Sequence, residues 1–182
     1  EVIPNLIPLG TLVRVLSHLL REGVPIRDLR TILETIADHA ATTKDADILT
    51  EVARQALGRT ITKQYLAPDG SLPIIGLDPR LDRTLADQAN AAGQGTQWVP
   101  DPLVAQKLLT ALKAAAERMV GRGHQPVILC SPSLRRHLRK LTDRILHSVP
   151  ILGLNEVESV TRLQAVETVR LDLEVGETRS LA

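Results

Sequence analysis

Residues Gln125–Val157 read QPVILCSPSLRRHLRKLTDRILHSVPILGLNEV and hold a strand, a helix and a second strand in one run. Val127–Cys130 is a short apolar stretch of the buried-strand kind. Ser131 is an N-cap residue type, and Pro132 stands at the first helical position, where a missing N–H removes no hydrogen bond. Leu134, Leu138, Leu141 and Ile145 recur at helical spacing and mark a buried face. After Pro150, Ile151-Leu152 opens the next strand. The unit decides for an α/β architecture.

Upstream, the same punctuation recurs. Leu72–Leu77 reads as a strand followed by Asp78-Pro79 and a helix with Leu81, Leu85 and Ala89 inward. Gly93-Gln94-Gly95 reads as a loop, and Gln97–Val99 as a short strand. Asp101-Pro102 opens a long helix with Leu103, Leu108, Leu112, Ala115 and Met119 inward, closed by Gly121 to Gly123. Downstream, Leu163–Val175 alternates, with Val169, Leu171, Leu173 and Val175 on one side, as a half-buried strand at a sheet edge does. These elements predict an α/β unit over residues 71–176 with four or five strands and three helices, and a loose tail over 177–182.

Residues 1–70 carry a helical period instead. Leu12, Val13, Val15, Leu16, Leu19 and Leu20 mark a first helix that Gly23 ends. Pro25 is placed to open a second, with Ile26, Leu29, Ile32, Leu33 and Ile36 on one face. A third helix runs through Ile48, Leu49, Val52 and Leu57, with Ile61 and Leu66 continuing its stripe past Gly58. The whole chain is therefore α/β (α+β overall), a small helical subdomain followed by an α/β subdomain.

Composition excludes several function classes. The chain of 182 residues has 22 basic and 21 acidic side chains, a net charge of +1, so no global field draws it to nucleic acid or an acidic membrane. With no Phe, one Trp and one Tyr, it lacks the aromatics that stack single-stranded bases. One cysteine allows no internal disulfide and no cysteine metal cage. The histidines show no metal-site spacing, so neither metal nor cofactor is expected. The start at Glu1, without Met, is read as a piece of a longer protein.

Cys130 to Arg136, CSPSLRR, fits the C-x5-R spacing of cysteine phosphatases, in which a thiolate attacks phosphorus and the arginine clamps the phosphate. This would make a small phosphate-handling enzyme using Cys130 and Arg136. Against it, the loop has no glycine and Pro132 deletes a backbone donor; Cys130 then simply ends a buried strand. Arg135, Arg136, Arg139 and Lys140 form a basic cluster on the following helix, a docking candidate whose plainer reading is an outward, solvated face. Gly23 between two helices suggests a helix-turn-helix reader, but Asp28, Glu34 and Asp38 on the second helix would repel phosphate. Glu156 is an isolated acid suited to a cap or turn. No acid–base pair is catalytic in pattern.

The stretch Leu19–Glu34, LLREGVPIRDLRTILE, resembles a signature of the FlhA family, the export gate of flagellar and virulence type III secretion systems. The likeness continues through Thr43-Lys44-Asp45, Leu49-Thr50-Glu51-Val52, Arg54-Gln55-Ala56-Leu57 and Arg59-Thr60-Ile61-Thr62. It returns at Gly76-Leu77-Asp78-Pro79, at Gln125–Pro132 with Leu134-Arg135, and at Pro150-Ile151-Leu152 with Asn155-Glu156-Val157. Pro25 stands where the family has Ser, and Gly153-Leu154 where it has Ser-Tyr.

The resemblance implies a non-enzymatic module: the third (helical) and fourth (α/β) cytoplasmic subdomains of a bacterial inner-membrane protein whose membrane domain lies N-terminal. It implies a ninefold ring of copies, receiving export chaperone–substrate complexes and components of the export ATPase. Arg21, Arg27, Asp28, Arg30 and Glu34 are the candidate ring-contact residues, as a dense mixed-sign face that helix folding alone does not require. The competing reading is that they are solvated or pair with one another along the helix.

Overall fold

The computed structural model describes residues 5–92 and 98–172. Four helices come first: α1 (Leu9–Arg21), α2 (Leu29–His39), α3 (Ala46–Ala56) and α4 (Gly58–Lys63). Then follow β1 (Ser71–Leu77), α5 (Pro79–Ala91), α6 (Pro102–Gly121), β2 (Ile128–Cys130) and α7 (Pro132–Thr142). The chain continues with β3 (Ile151–Gly153), a 3-10 turn (Leu154–Glu156) and β4 (Arg162–Val169). All strand pairs are parallel, in the order β3-β2-β1-β4, so β4 is an edge strand.

Local chemistry sets the boundaries. Gly23 adopts φ 71°, and the Gly23 N–H donates to the Leu20 carbonyl while the Val24 N–H donates to that of Leu19. This is a Schellman closure, which needs the left-handed conformation glycine takes freely. The second helix does not begin at Pro25. It begins at Leu29, because the Asp28 carboxylate supplies a cap, accepting from the Thr31 N–H at 3.1 Å and the Thr31 hydroxyl at 2.7 Å. Asp78 and Asp101 cap α5 and α6 ahead of their prolines, as expected. Ser131 makes no side-chain cap; its hydroxyl is buried without a partner.

The expected third helix breaks at Leu57 into α3 and α4, and its stripe stops short of Leu66, which is exposed. Of the predicted strand at Gln97–Val99, Trp98 and Val99 are not in a strand, and Gln97 lies outside the described residues with the Gly93–Gly95 loop. Trp98 instead buries its indole edge-on to His137, ring centres 6.0 Å apart. The last strand ends at Val169 rather than Val175; Leu171 packs on the core, while Leu173, Val175 and the tail lie outside the described residues.

Strands β1, β2 and β3 are buried on both faces, as parallel strands are, while β4 is exposed along most of its length. Ile75, Leu77, Ile128, Cys130 and Ile151 pack with Leu85, Leu112 and Leu138 of α5, α6 and α7. Leu72, Ile74, Leu129 and Leu152 pack instead with Leu19, Ile32, Leu49 and Ile61 of the first four helices. At the far edge Arg118 of α6 and Arg122, just past its end, hold Glu167 of β4 at 2.8 and 3.1 Å.

Candidate functional site

Where α1 and α3 meet α7 and β3, charges alternate along a line: Glu51, Arg135, Glu22, Arg54, Glu156. The Arg54 Nε donates to Glu156 Oε1 at 2.6 Å and its Nη2 to Oε2 at 3.2 Å, a two-point pairing. Its Nη1 reaches Glu22 Oε2 at 3.2 Å. The Arg135 Nη1 donates to the same Glu22 oxygen at 2.7 Å, and its Nε to Glu51 Oε2 at 2.6 Å. Both guanidinium groups also donate to the Ile151 carbonyl at the start of β3. Glu156 closes its own turn by accepting from the Gly153 N–H at 2.8 Å.

Local structure puts each group there. Glu22 ends α1, Glu51 and Arg54 share one side of α3, and Glu156 closes the 3-10 turn. That turn is held close by α4: a Cβ on Gly58 would lie 2.4 Å from the Glu156 carbonyl oxygen, and Thr62 donates to that oxygen at 3.1 Å.

Electrostatics follow from burial and pairing. Burial alone would raise the Glu22 carboxyl, but Arg135 and Arg54 outweigh it and hold the group below its ordinary value. Burial works against the Arg135 charge, yet Glu51 and Glu22 keep it firmly protonated. Arg139 is less favoured as a cation, first by burial and then by its neighbours Arg135 and Arg54, despite Glu22 and Asp143.

These positions correct the outward reading of the α7 basic cluster. Arg135 is 2% exposed and spends its guanidinium on Glu51 and Glu22. Arg139 is buried and donates to the Val149 and Leu146 carbonyls at 3.0 and 3.2 Å. Only Arg136 and Lys140 remain at the rim, Lys140 in an ion pair with Asp47 of α3. The helix ends at Thr142, so Ile145 is exposed instead of continuing the core stripe, and Leu146 is buried in its place.

Cys130 and Arg136 are not brought together. Cys130 is buried, its Sγ facing the Leu152 carbonyl at 3.8 Å; burial, and then Asp82, push its thiol far up. The Ser131 N–H, where a phosphate would sit, already donates to Asp82 Oδ1 at 3.1 Å. Arg136 turns to His137 Nε2 at 3.2 Å. The arrangement opposes a thiolate nucleophile.

The ring-contact candidates are all exposed. Arg27 lies in the link before α2, Asp28 is the α2 cap, and Arg30 pairs with Glu34 at 2.8 Å one turn on. Arg21 borders a cleft of about 290 Å³ between α1, α3 and α7, whose walls include His18, Asp47, Arg136, Lys140 and Asp143. Sequence reasoning gave Glu22, Glu51 and Arg54 no role. Their signal was indirect: each falls inside a stretch that carries the family resemblance. Among the described residues no group of three potential ligands could hold a metal ion, and no helix is long and apolar enough to cross a membrane.

Comparison with known proteins places this geometry. The FHIPEP family model matches residues 1–162. The flagellar biosynthesis protein FlhA of Salmonella typhimurium is 38% identical over 169 residues, covering 93% of this chain and 24% of its own length. The chain thus spans about a quarter of the length of that relative. Among solved structures, the Chlamydia pneumoniae CdsV and CdsO protein complex aligns with a TM-score of 0.80 at 26% identity, over 91% of this chain and 49% of that one. The nonameric EPEC SctV-C aligns with a TM-score of 0.78 at 28% identity, over 91% of this chain and 49% of that one. A model match across nearly the full length, over residues that include Glu22, Arg54, Arg135 and Glu156, makes the chain a member of the FHIPEP family.

Proposed function

We propose that this chain forms part of a ring-forming and docking module in a flagellar or type III protein export gate, working by assembly and partner binding without catalysis. Residues 1–70 act as the ring-contact subdomain and 71–176 as the α/β subdomain beside it, both in the cytoplasmic part of an inner-membrane protein. The observation that carries the reading is the alignment of 91% of the chain with a protein described as a nonamer. A protomer in such a ring meets its neighbour through two different faces, a heterologous contact. The exposed face of Arg21, Arg27, Asp28, Arg30 and Glu34 is one of them.

The complex of CdsV with CdsO supports a docked partner in addition to the ring. Export chaperone–substrate complexes and export ATPase components are the partners this reading assigns. Arg136 and Lys140, at the rim of the cleft, are the accessible members of the α7 cluster for such docking. The test is charge reversal: Arg27→Glu in the cytosolic region carrying this chain weakens ring assembly, followed by sedimentation velocity, without changing the denaturation midpoint. Undiminished assembly would contradict the proposal.

A further inference from the structure

A second cavity, of about 250 Å³, opens where the end of α1 meets the segments leading into β2 and β3. Arg21 and Glu22 reach it from the end of α1, Arg54 from α3 and Arg139 from α7. His147 and Ser148 line it ahead of β3, Gln125 ahead of β2 and Tyr65 past α4.

Its charges do not balance. Glu22 is the only acid in the lining, and it is already spent, accepting from both Arg54 and Arg135. Arg54 is spent in turn on Glu156 and Glu22. Arg21 is exposed and, among the described residues, in no ion pair. Arg139 is 9% exposed; its Nη atoms donate to main-chain carbonyls, and its Nε is buried without a partner. Its one carboxylate neighbour, Asp143 at 3.7 Å, is half-exposed and not part of this wall. A cation taken out of water without a full countercharge costs free energy that a bound anion recovers. The cleft between α1, α3 and α7 differs: Asp47, Glu51 and Asp143 stand among its cations, and Arg135 and Lys140 are paired there.

The lining selects among anions. Its two uncompensated cations come from different helices, and its neutral donors from three further segments. A planar carboxylate is best met by one guanidinium fork; donors arriving from several elements suit a tetrahedral dianion, which has more oxygens to satisfy and matches two cations. The cavity is larger than such an ion needs, and Pro150 and Ile151 give it an apolar portion.

We propose that this cavity binds the phosphate group of a small phosphate monoester. Arg21 and Arg139 are its cationic contacts, His147 and Ser148 donate beside them, and the body of the ester rests against Pro150 and Ile151. The ligand bridges α1 to α7, next to the buried Arg54–Glu156 pair.

Calorimetric titration of the cytosolic region carrying this chain, at fixed pH and ionic strength, tests the site with inorganic phosphate and with glycerol 3-phosphate. Both should saturate, the ester at lower concentration. Arg21→Gln should weaken the ester by about tenfold, as the loss of one charge-assisted hydrogen bond does. His147→Ala, on the other side of the junction, should weaken it as well. Both side chains are exposed, so both variants should fold, which circular dichroism checks. Lys113→Gln removes the same charge from an exposed position on α6 and should bind as wild type. Failure of both probes to saturate, or equal binding by all three variants, would overturn the site. Inorganic phosphate binding as tightly as the ester would overturn the monoester as ligand. Displacement of either probe by equimolar acetate would overturn phosphate in favour of a carboxylate.

Discussion

Arg54 and Glu156 lie 102 positions apart in sequence, yet their side chains meet at 2.6 Å with only 2% of either exposed. The pair ties α3, in the helical layer, to the turn after β3. Buried ion pairs are weak evidence of net stability, because desolvating both charges offsets their attraction; removing one partner is what costs. Arg54→Met is expected to destabilise the chain by about 3–5 kcal/mol in urea denaturation. Arg54→Met with Glu156→Gln should recover part of that loss, since no full charge is then stranded and the amide can still accept from Gly153. A double variant costing the sum of its singles would show the two groups act independently.

Gly58 marks the closest backbone approach between these parts. A methyl group there meets the Glu156 backbone at 2.4 to 3.0 Å, and backbone cannot swing aside as a side-chain tip can. Gly58→Ala is expected to cost about 1–3 kcal/mol, the range for overpacking. It should also loosen the 3-10 turn, seen as faster amide hydrogen exchange around Glu156. Unchanged stability and exchange would mean that the turn is free to shift.

Glu22 sets an acid limit. Its carboxyl titrates below its ordinary value because Arg135 and Arg54 outweigh its burial. A group depressed in the folded state contributes stability above its unfolded pKa and loses that contribution as pH falls through the folded one. Stability should therefore decline below about pH 4.5, and Glu22→Gln should flatten that part of the profile. A wild-type profile matched by the variant would remove Glu22 from the acid response.

Cys130 should resist thiol reagents in the native state. Its burial and raised pKa leave almost no exposed thiolate. Labelling by a chromogenic disulfide should follow unfolding and speed up with urea. Rapid stoichiometric labelling in buffer would revive the phosphatase reading.

The sequence carried the repeating strand–cap–helix punctuation because it is local: Asp78 and Asp101 cap their helices as their neighbours dictate. It misplaced the start of α2 because Pro25 satisfies the first helical position only in shape, while Asp28 supplies a hydrogen bond. The α7 arginines were illegible for another reason. A helical period separates one core face from everything else, but α7 meets two layers, and the second arrives from residues more than eighty positions away, as the Arg135–Glu51 bond shows. Val13 and Leu20 lie on α1 as their spacing predicts, yet both are exposed: apolar spacing marks a helix face without saying whether its own chain covers it.

Asp28 is both a candidate contact residue and the cap of α2. Reversing it removes the α2 cap, worth about 1 kcal/mol, so any lost assembly would be confounded with lost stability. The exchanged pair Arg30→Glu with Glu34→Arg keeps an ion pair along the helix while inverting the pattern presented to a neighbour. Sedimentation velocity of this exchanged variant, in the cytosolic region carrying the chain, tests the ring contact most directly. Assembly weakened severalfold at an unchanged denaturation midpoint is the predicted result; rings forming at wild-type concentrations would contradict it.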